Sequence, residues 1–197
     1  MNSSVRARGR VCLHASRFAI LPMTDRYTKV AIALHWVLAL GILLQIGLGF
    51  FLGEIPRGAP ERSAWVNFHK SMGITLAALI AVRLAWRIKH QAPPLPGTMP
   101  AWERVAARAS HALLYVCMLG MPLTGYIASN FSKFGIKFFG LAMLAPWGTD
   151  DKRIYAVFNS AHKILALVFV ALIVLHVAAA LKHALLERDG LMRRMWP

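Results

Sequence analysis

Eight histidines occur in this 197-residue chain. His35, His69, His111, His162 and His176 fall in or at the edge of long apolar stretches, and His183 follows just beyond the last. Ionisable side chains inside a bilayer are costly and mark function by default, and neutral imidazole is a common metal ligand. At about 100° per residue, His162, His176 and His183 share one helix face within roughly 60°, the first two about 21 Å apart along the axis. Counted from the first basic residue at each edge, His35 and His176 lie at one depth. His69 and His162, each followed by lysine, lie at a second, and His111 and His183 at a third. Two opposed imidazoles at one depth suit the axial positions of a planar haem. Double imidazole ligation leaves no open coordination position, which suits electron transfer. Zinc usually takes three or four ligands at one level, often carboxylates, yet Glu54, Glu61, Asp150 and Asp151 all fall outside the apolar stretches. The two cysteines, Cys12 and Cys117, form no CxxC or CxxCH, so neither c-type haem attachment nor a thiolate metal site is supported.

Other residues in these stretches bear on the same chemistry. Arg83 lies within the second stretch, four residues before Arg87. Arginine matches carboxylates geometrically and would serve a haem propionate, while a snorkelling arginine at a helix end accounts for it equally. Gly41, Gly47, Gly49, Gly73, Gly120 and Gly125 allow close helix approach, or room for a flat macrocycle.

Positioning these histidines requires four spanning elements. The chain is 57% hydrophobic and only 16% charged, with mean hydropathy +0.51, more apolar than a soluble domain. Four stretches reach the roughly 20 residues a bilayer crossing needs. They predict helices over residues 31–52, 64–88, 105–129 and 161–186, hence an all-α integral membrane four-helix bundle in a lipid bilayer. Helix is the default because it satisfies its own backbone. Pro122 predicts a kink in the third helix. The net charge of +15 fringes the apolar stretches instead of lining one face, which reads as topology and not as nucleic-acid binding. Of the Lys and Arg residues, fifteen fall on the side of the termini and the 87–104 loop, and eight on the other. This predicts both termini in the cytoplasm. Trp65, Trp86, Trp102, Trp147 and Trp196 fall near span ends, as an interfacial belt would.

Two regions lie outside this frame. Residues 1–22 carry Arg6, Arg8, Arg10 and Arg17 without a convincing signal sequence. They read as a disordered extension or a misassigned start, with Met23 opening a natural N-terminus. The long connection between the third and fourth helices contains FGIKFFGLAMLAPW, too short to span, which would lie along the outer interface.

The residues ALHWVLAL, NFHKSMGI, AVRLAWRIKHQAPPLP, ARASHALLYV, HKILALVFVALIVLHVAAALKH and ERDGLMRRMWP resemble the bacterial cytochrome b561 family of four-helix dihaem membrane proteins, from about residue 25 to 197. The resemblance implies two haems b per chain, an inner one on His35 and His176 and an outer one on His69 and His162. It places His111 and His183 near a quinone headgroup, and it implies a bacterial inner membrane location. One branch of the family is a superoxide oxidase, passing electrons from periplasmic superoxide through both haems to ubiquinone. Lys70, Lys133, Lys137, Lys152, Arg153 and Lys163 would then steer the anion, and His111 and His183 would hydrogen-bond the quinone and relay protons. The alternative is an electron-transfer subunit fed by an unidentified protein partner, since the chain carries no flavin, iron–sulfur or nucleotide motif. A non-catalytic transporter would show an internal repeat, and none is detectable.

Overall fold

The computed structural model describes residues 26–97 and 99–197; the expectation for residues 1–22 lies outside them. Four long helices run α1 Lys29–Glu54, α2 Arg62–Lys89, α3 Ala101–Asn130 and α4 Lys152–Leu181. All four are long and apolar enough to cross a membrane. A short antiparallel hairpin, β1 Ile136–Phe138 with β2 Ala142–Leu144, interrupts the α3–α4 connection. A π-helical segment, Lys182–Glu187, continues α4, and a 3-10 turn, Met192–Arg194, ends the chain.

The packing is inside-out. The buried apolar cluster is small: Leu38 of α1 with Leu76 and Ile80 of α2, backed by Ile42, Leu79 and Met118. Leu40, Leu44, Val116, Leu123, Leu167 and Val174 all stand exposed on the helices. Apolar side chains on every outward face require a hydrocarbon solvent, not water. α1 packs on α2, α2 on α3 and α3 on α4. Glycines mark close helix approaches: a Cβ on Gly41 would meet a Leu76 methyl at 2.7 Å, and one on Gly120 a Leu165 methyl at 2.8 Å.

Side chains close three of the helix ends, because unsatisfied backbone groups are costly near hydrocarbon. Thr28 accepts from Ala31 N at 3.2 Å. Arg62 donates to the carbonyls of Leu52, in the last turn of α1, and of Ile55, just after it. Asp151 accepts from Arg153 N and Ile154 N, so α4 starts nine residues before the expected residue 161. The hydrophobic run marks where lipid begins, whereas the aspartate cap marks where the helix begins.

The connection expected along the interface contains this hairpin, the departure from an otherwise all-α chain. Phe138 O accepts from Leu141 N at 2.9 Å across Phe139 and Gly140. Both have positive φ, 47° and 75°, the signature of a type I′ turn. Ser71, fully buried on α2, accepts from Phe139 N at 2.9 Å. Asn67 accepts from Lys137 N at 2.9 Å, so α2 holds this "hairpin end" of the bundle. At the opposite, "terminal" end, the last residues fold across α1: Trp36 Nε1 donates to Met195 O at 2.8 Å, and Arg26 to Trp196 O at 2.7 Å.

Candidate functional site

The histidines meet across helices at two depths. Near the terminal end, His35 of α1 faces His176 of α4 with ring centroids 6.4 Å apart and planes at 72°. Near the hairpin end, His69 of α2 faces His162 of α4 at 6.2 Å and 81°. With metal–imidazole bonds of about 2.0–2.1 Å and ring nitrogens about 1.2 Å from their centroids, two imidazoles on one ion have centroids about 6.4–6.6 Å apart. Both pairs come within about 0.4 Å of that separation. His111 of α3 also meets His176, but at 5.4 Å. That spacing is an ordinary edge contact, too short for two ligands of one iron. His111 thus sits beside the terminal-end pair, one level deeper than its expected place with His183.

At the hairpin-end pair, second partners support the fit. Met121 O lies 2.9 Å and Thr124 Oγ1 3.2 Å from His162 Nδ1. A carbonyl only accepts, so Nδ1 carries the hydrogen and Nε2 keeps a free lone pair, the arrangement usual for a ligating histidine. Thr124 in turn donates to Gly120 O at 2.7 Å, satisfying backbone next to Pro122, through which α3 runs unbroken. A Cβ at Gly125 would stand 3.1 Å from the His162 ring, and one at Gly49 3.6 Å from His69, so glycines of α3 and α1 leave these rings their room. Gln45 donates to His69 O at 2.7 Å; its Oε1 and the Nδ1 of His69 are both buried without partners.

The terminal-end pair is surrounded differently. Arg83 donates to Ala31 O at 2.9 Å and sets its second terminal nitrogen 3.3 Å from His35 Nδ1. It lies against the ring, within the bundle, where sequence left it between a propionate partner and a snorkelling residue. Phe169, the one buried residue of α4, lies midway in sequence between His162 and His176. His183 meets neither pair; its Nδ1 contacts Asp189 at 2.7 Å and Glu187 at 2.5 Å.

Gln45, Thr124, Phe169 and Glu103 carry no weight in the sequence reading. A lone amide inside an apolar span was a visible signal for Gln45. Thr124 and Phe169 look like ordinary span residues until their neighbours are known.

Comparison with known proteins converges on the same chemistry. The profile of the prokaryotic cytochrome b561 family matches residues 26–197. The chain is 28% identical to cytochrome b561 homolog 1 of Escherichia coli (strain K12) over 88% of its length and 98% of the relative's. It is 32% identical to cytochrome b561 homolog 2 of the same organism, over 87% and 91%. With the probable superoxide oxidase CybB of Yersinia pestis it shares 24% identity over 89% and 98%. Histidines paired across four spanning helices, in a chain matched from its first described residue to its last, identify a bacterial multi-pass membrane protein of electron transfer that belongs to the haem b-binding prokaryotic cytochrome b561 family.

Proposed function

We propose that the chain carries two haems b, one on His35 and His176 and one on His69 and His162, and conducts electrons from superoxide at the hairpin end to ubiquinone at the terminal end. The reading is carried by one observation: two imidazole pairs, 6.4 and 6.2 Å apart, at separate depths of one bundle. Haem b on two imidazoles supplies one-electron transfer without an open coordination position. The charge count, fifteen against eight, supports an orientation with the termini in the cytoplasm and the hairpin end outside, in a bacterial inner membrane.

The hairpin end suits an anionic donor. Eight basic residues gather there against Glu54, Glu61, Asp150 and Asp151, and Lys133, Lys137, Lys152, Arg153 and Lys163 are exposed. Their summed field raises the encounter rate of a small anion. The relative named a probable superoxide oxidase supports this donor.

The terminal end suits a quinone. His111 is exposed beside His176, and His183 follows His176 by seven residues, about 10.5 Å along the axis. The carbonyl oxygens of a quinone ring are about 5 Å apart; hydrogen bonds of about 2.8 Å at each end make a bridge of about 11 Å. An axial offset of that size between His183 and the His111–His176 level would leave room for such a headgroup.

A second reading, an electron-transfer subunit fed by a protein, is favoured by the exposed apolar side chains of the hairpin and the segment after it: Leu141, Met143 and Trp147. Optical titration of the purified oxidised protein separates the two. Dithionite should give six-coordinate b-type spectra, and a superoxide generator the same bands, abolished by superoxide dismutase. Reduction by dithionite but not superoxide would leave the protein-fed reading.

A further inference from the structure

At the terminal end, below the proposed quinone position, a cluster of ionisable side chains joins α3 to the π-helical segment. Glu103 of α3 accepts from Lys182 Nζ through Oε1 at 2.7 Å, and the same ammonium lies 2.7 Å from Glu187. Oε2 of Glu103 is buried without a hydrogen-bond partner and lies 3.9 Å from His183 Nε2. The other ring nitrogen of His183, Nδ1, is held by Glu187 and Asp189. The side chains of Glu103 and His183 are 11% and 14% exposed, whereas Lys182 is 41% and Glu187 34% exposed. Burial thus falls from the ring outward to water. The segment is π-helical, a form concentrated at functional sites, and it ends where Arg188 (φ 52°) and Gly190 (φ 82°) turn the chain, bringing Asp189 back onto the ring.

An ion pair between α3 and α4 would need only Glu103 and Lys182. It would not need a histidine clamped at one nitrogen by two carboxylates, with a buried, unpartnered carboxylate oxygen facing the other. From this arrangement we infer that Glu103, His183, Glu187 and Asp189 form the proton input for quinone reduction, a role that rests on the quinone reading above. Each quinone takes two electrons, delivered singly from two one-electron donors, and two protons. The carboxylates of Glu187 and Asp189 accept from His183 Nδ1, which leaves Nε2 to relay: the Glu103 oxygen–hydrogen bond breaks as an Nε2–H bond forms, and that bond breaks in turn as the quinone oxygen–hydrogen bond forms. Glu103 is protonated again from water, and the cycle repeats for the second electron. Lys182, over the Trp102 ring at 5.8 Å, keeps Glu103 turned to the cluster.

The test uses the full-length, haem-loaded protein and a short-chain, water-soluble ubiquinone. Glu103→Gln keeps the acceptor for Lys182 but cannot carry the proton. Oxidation of pre-reduced protein by quinone should slow by about 100-fold, more at alkaline than at mildly acidic pH, with half-saturation by quinone unchanged. The infrared difference spectrum on reduction should lose a protonated-carboxyl band. Glu187→Gln combined with Asp189→Asn should shift the pH profile of the same reaction to lower pH, which keeps the inference testable if Glu103→Gln fails to accumulate. Wild-type rates, pH profile and infrared bands in these variants, alongside lost quinone saturation in His183→Ala, would overturn the proton input and leave the quinone reading standing. Unchanged quinone saturation and rate in His183→Ala would remove both.

Discussion

Replacing Arg83 by glutamine should lower the reduction potential of the site formed by His35 and His176 and leave the other nearly untouched. The Arg83 terminal nitrogen lies 3.3 Å from His35 Nδ1, and the midpoint between the paired rings, whose centroids are 6.4 Å apart, is where an iron would sit. The guanidinium charge is then about 7 Å from that point. At an effective dielectric of about 20, a unit charge at this distance is worth about 2.4 kcal/mol, or about 100 mV for a one-electron couple. Screening at the bundle end reduces this, so a fall of about 50–100 mV is expected. The sign follows because a cation favours the state with the extra electron. At the other site, about 25 Å away, the same arithmetic leaves about 30 mV or less. Spectroelectrochemical titration of the purified protein resolves the two couples. A shift confined to the other couple would refute the placement of Arg83. A rise would refute the charge argument in another way: His35 would then be an imidazolate held by the guanidinium, which regains its proton when Arg83 is lost.

Three further outcomes are expected. Gly125→Ala sets a Cβ 3.1 Å from the His162 ring, whereas Gly47 has nothing within 4 Å; haem content should be roughly halved in the first variant and unchanged in Gly47→Ala, since overpacking displaces what it meets. Phe169→Ala should cost about 3 kcal/mol of stability, seen as a lower thermal midpoint, while Val168→Ala on the exposed face stays within about 0.5 kcal/mol. Reversing Lys152 and Arg153 to glutamate should slow reduction by superoxide about tenfold at low salt without altering the haem spectrum; an equal rate would end the steering argument.

The spans, the histidines and their division by depth are legible in the sequence because hydrocarbon imposes a length on apolar helices and a penalty on every ionisable group within them. Those two constraints act residue by residue and need no knowledge of neighbours, so His35 pairs with His176, and His69 with His162, already on counting inward from the first charges. What they do not contain is lateral position. His111 lies at an inner edge by count, yet α3 packs so closely on α4, through Gly120 against Leu165, that its ring rests on His176. The hairpin at Phe139–Gly140 and the cap at Asp151 depend on local backbone chemistry that a hydrophobicity pattern does not record. The partners that tune the rings, Arg83 against His35 and Met121 O with Thr124 against His162, come from helices distant in sequence. Only tertiary packing decides which polar atom faces which ring, because that depends on helix rotation and crossing, and side chains tens of residues away fix both.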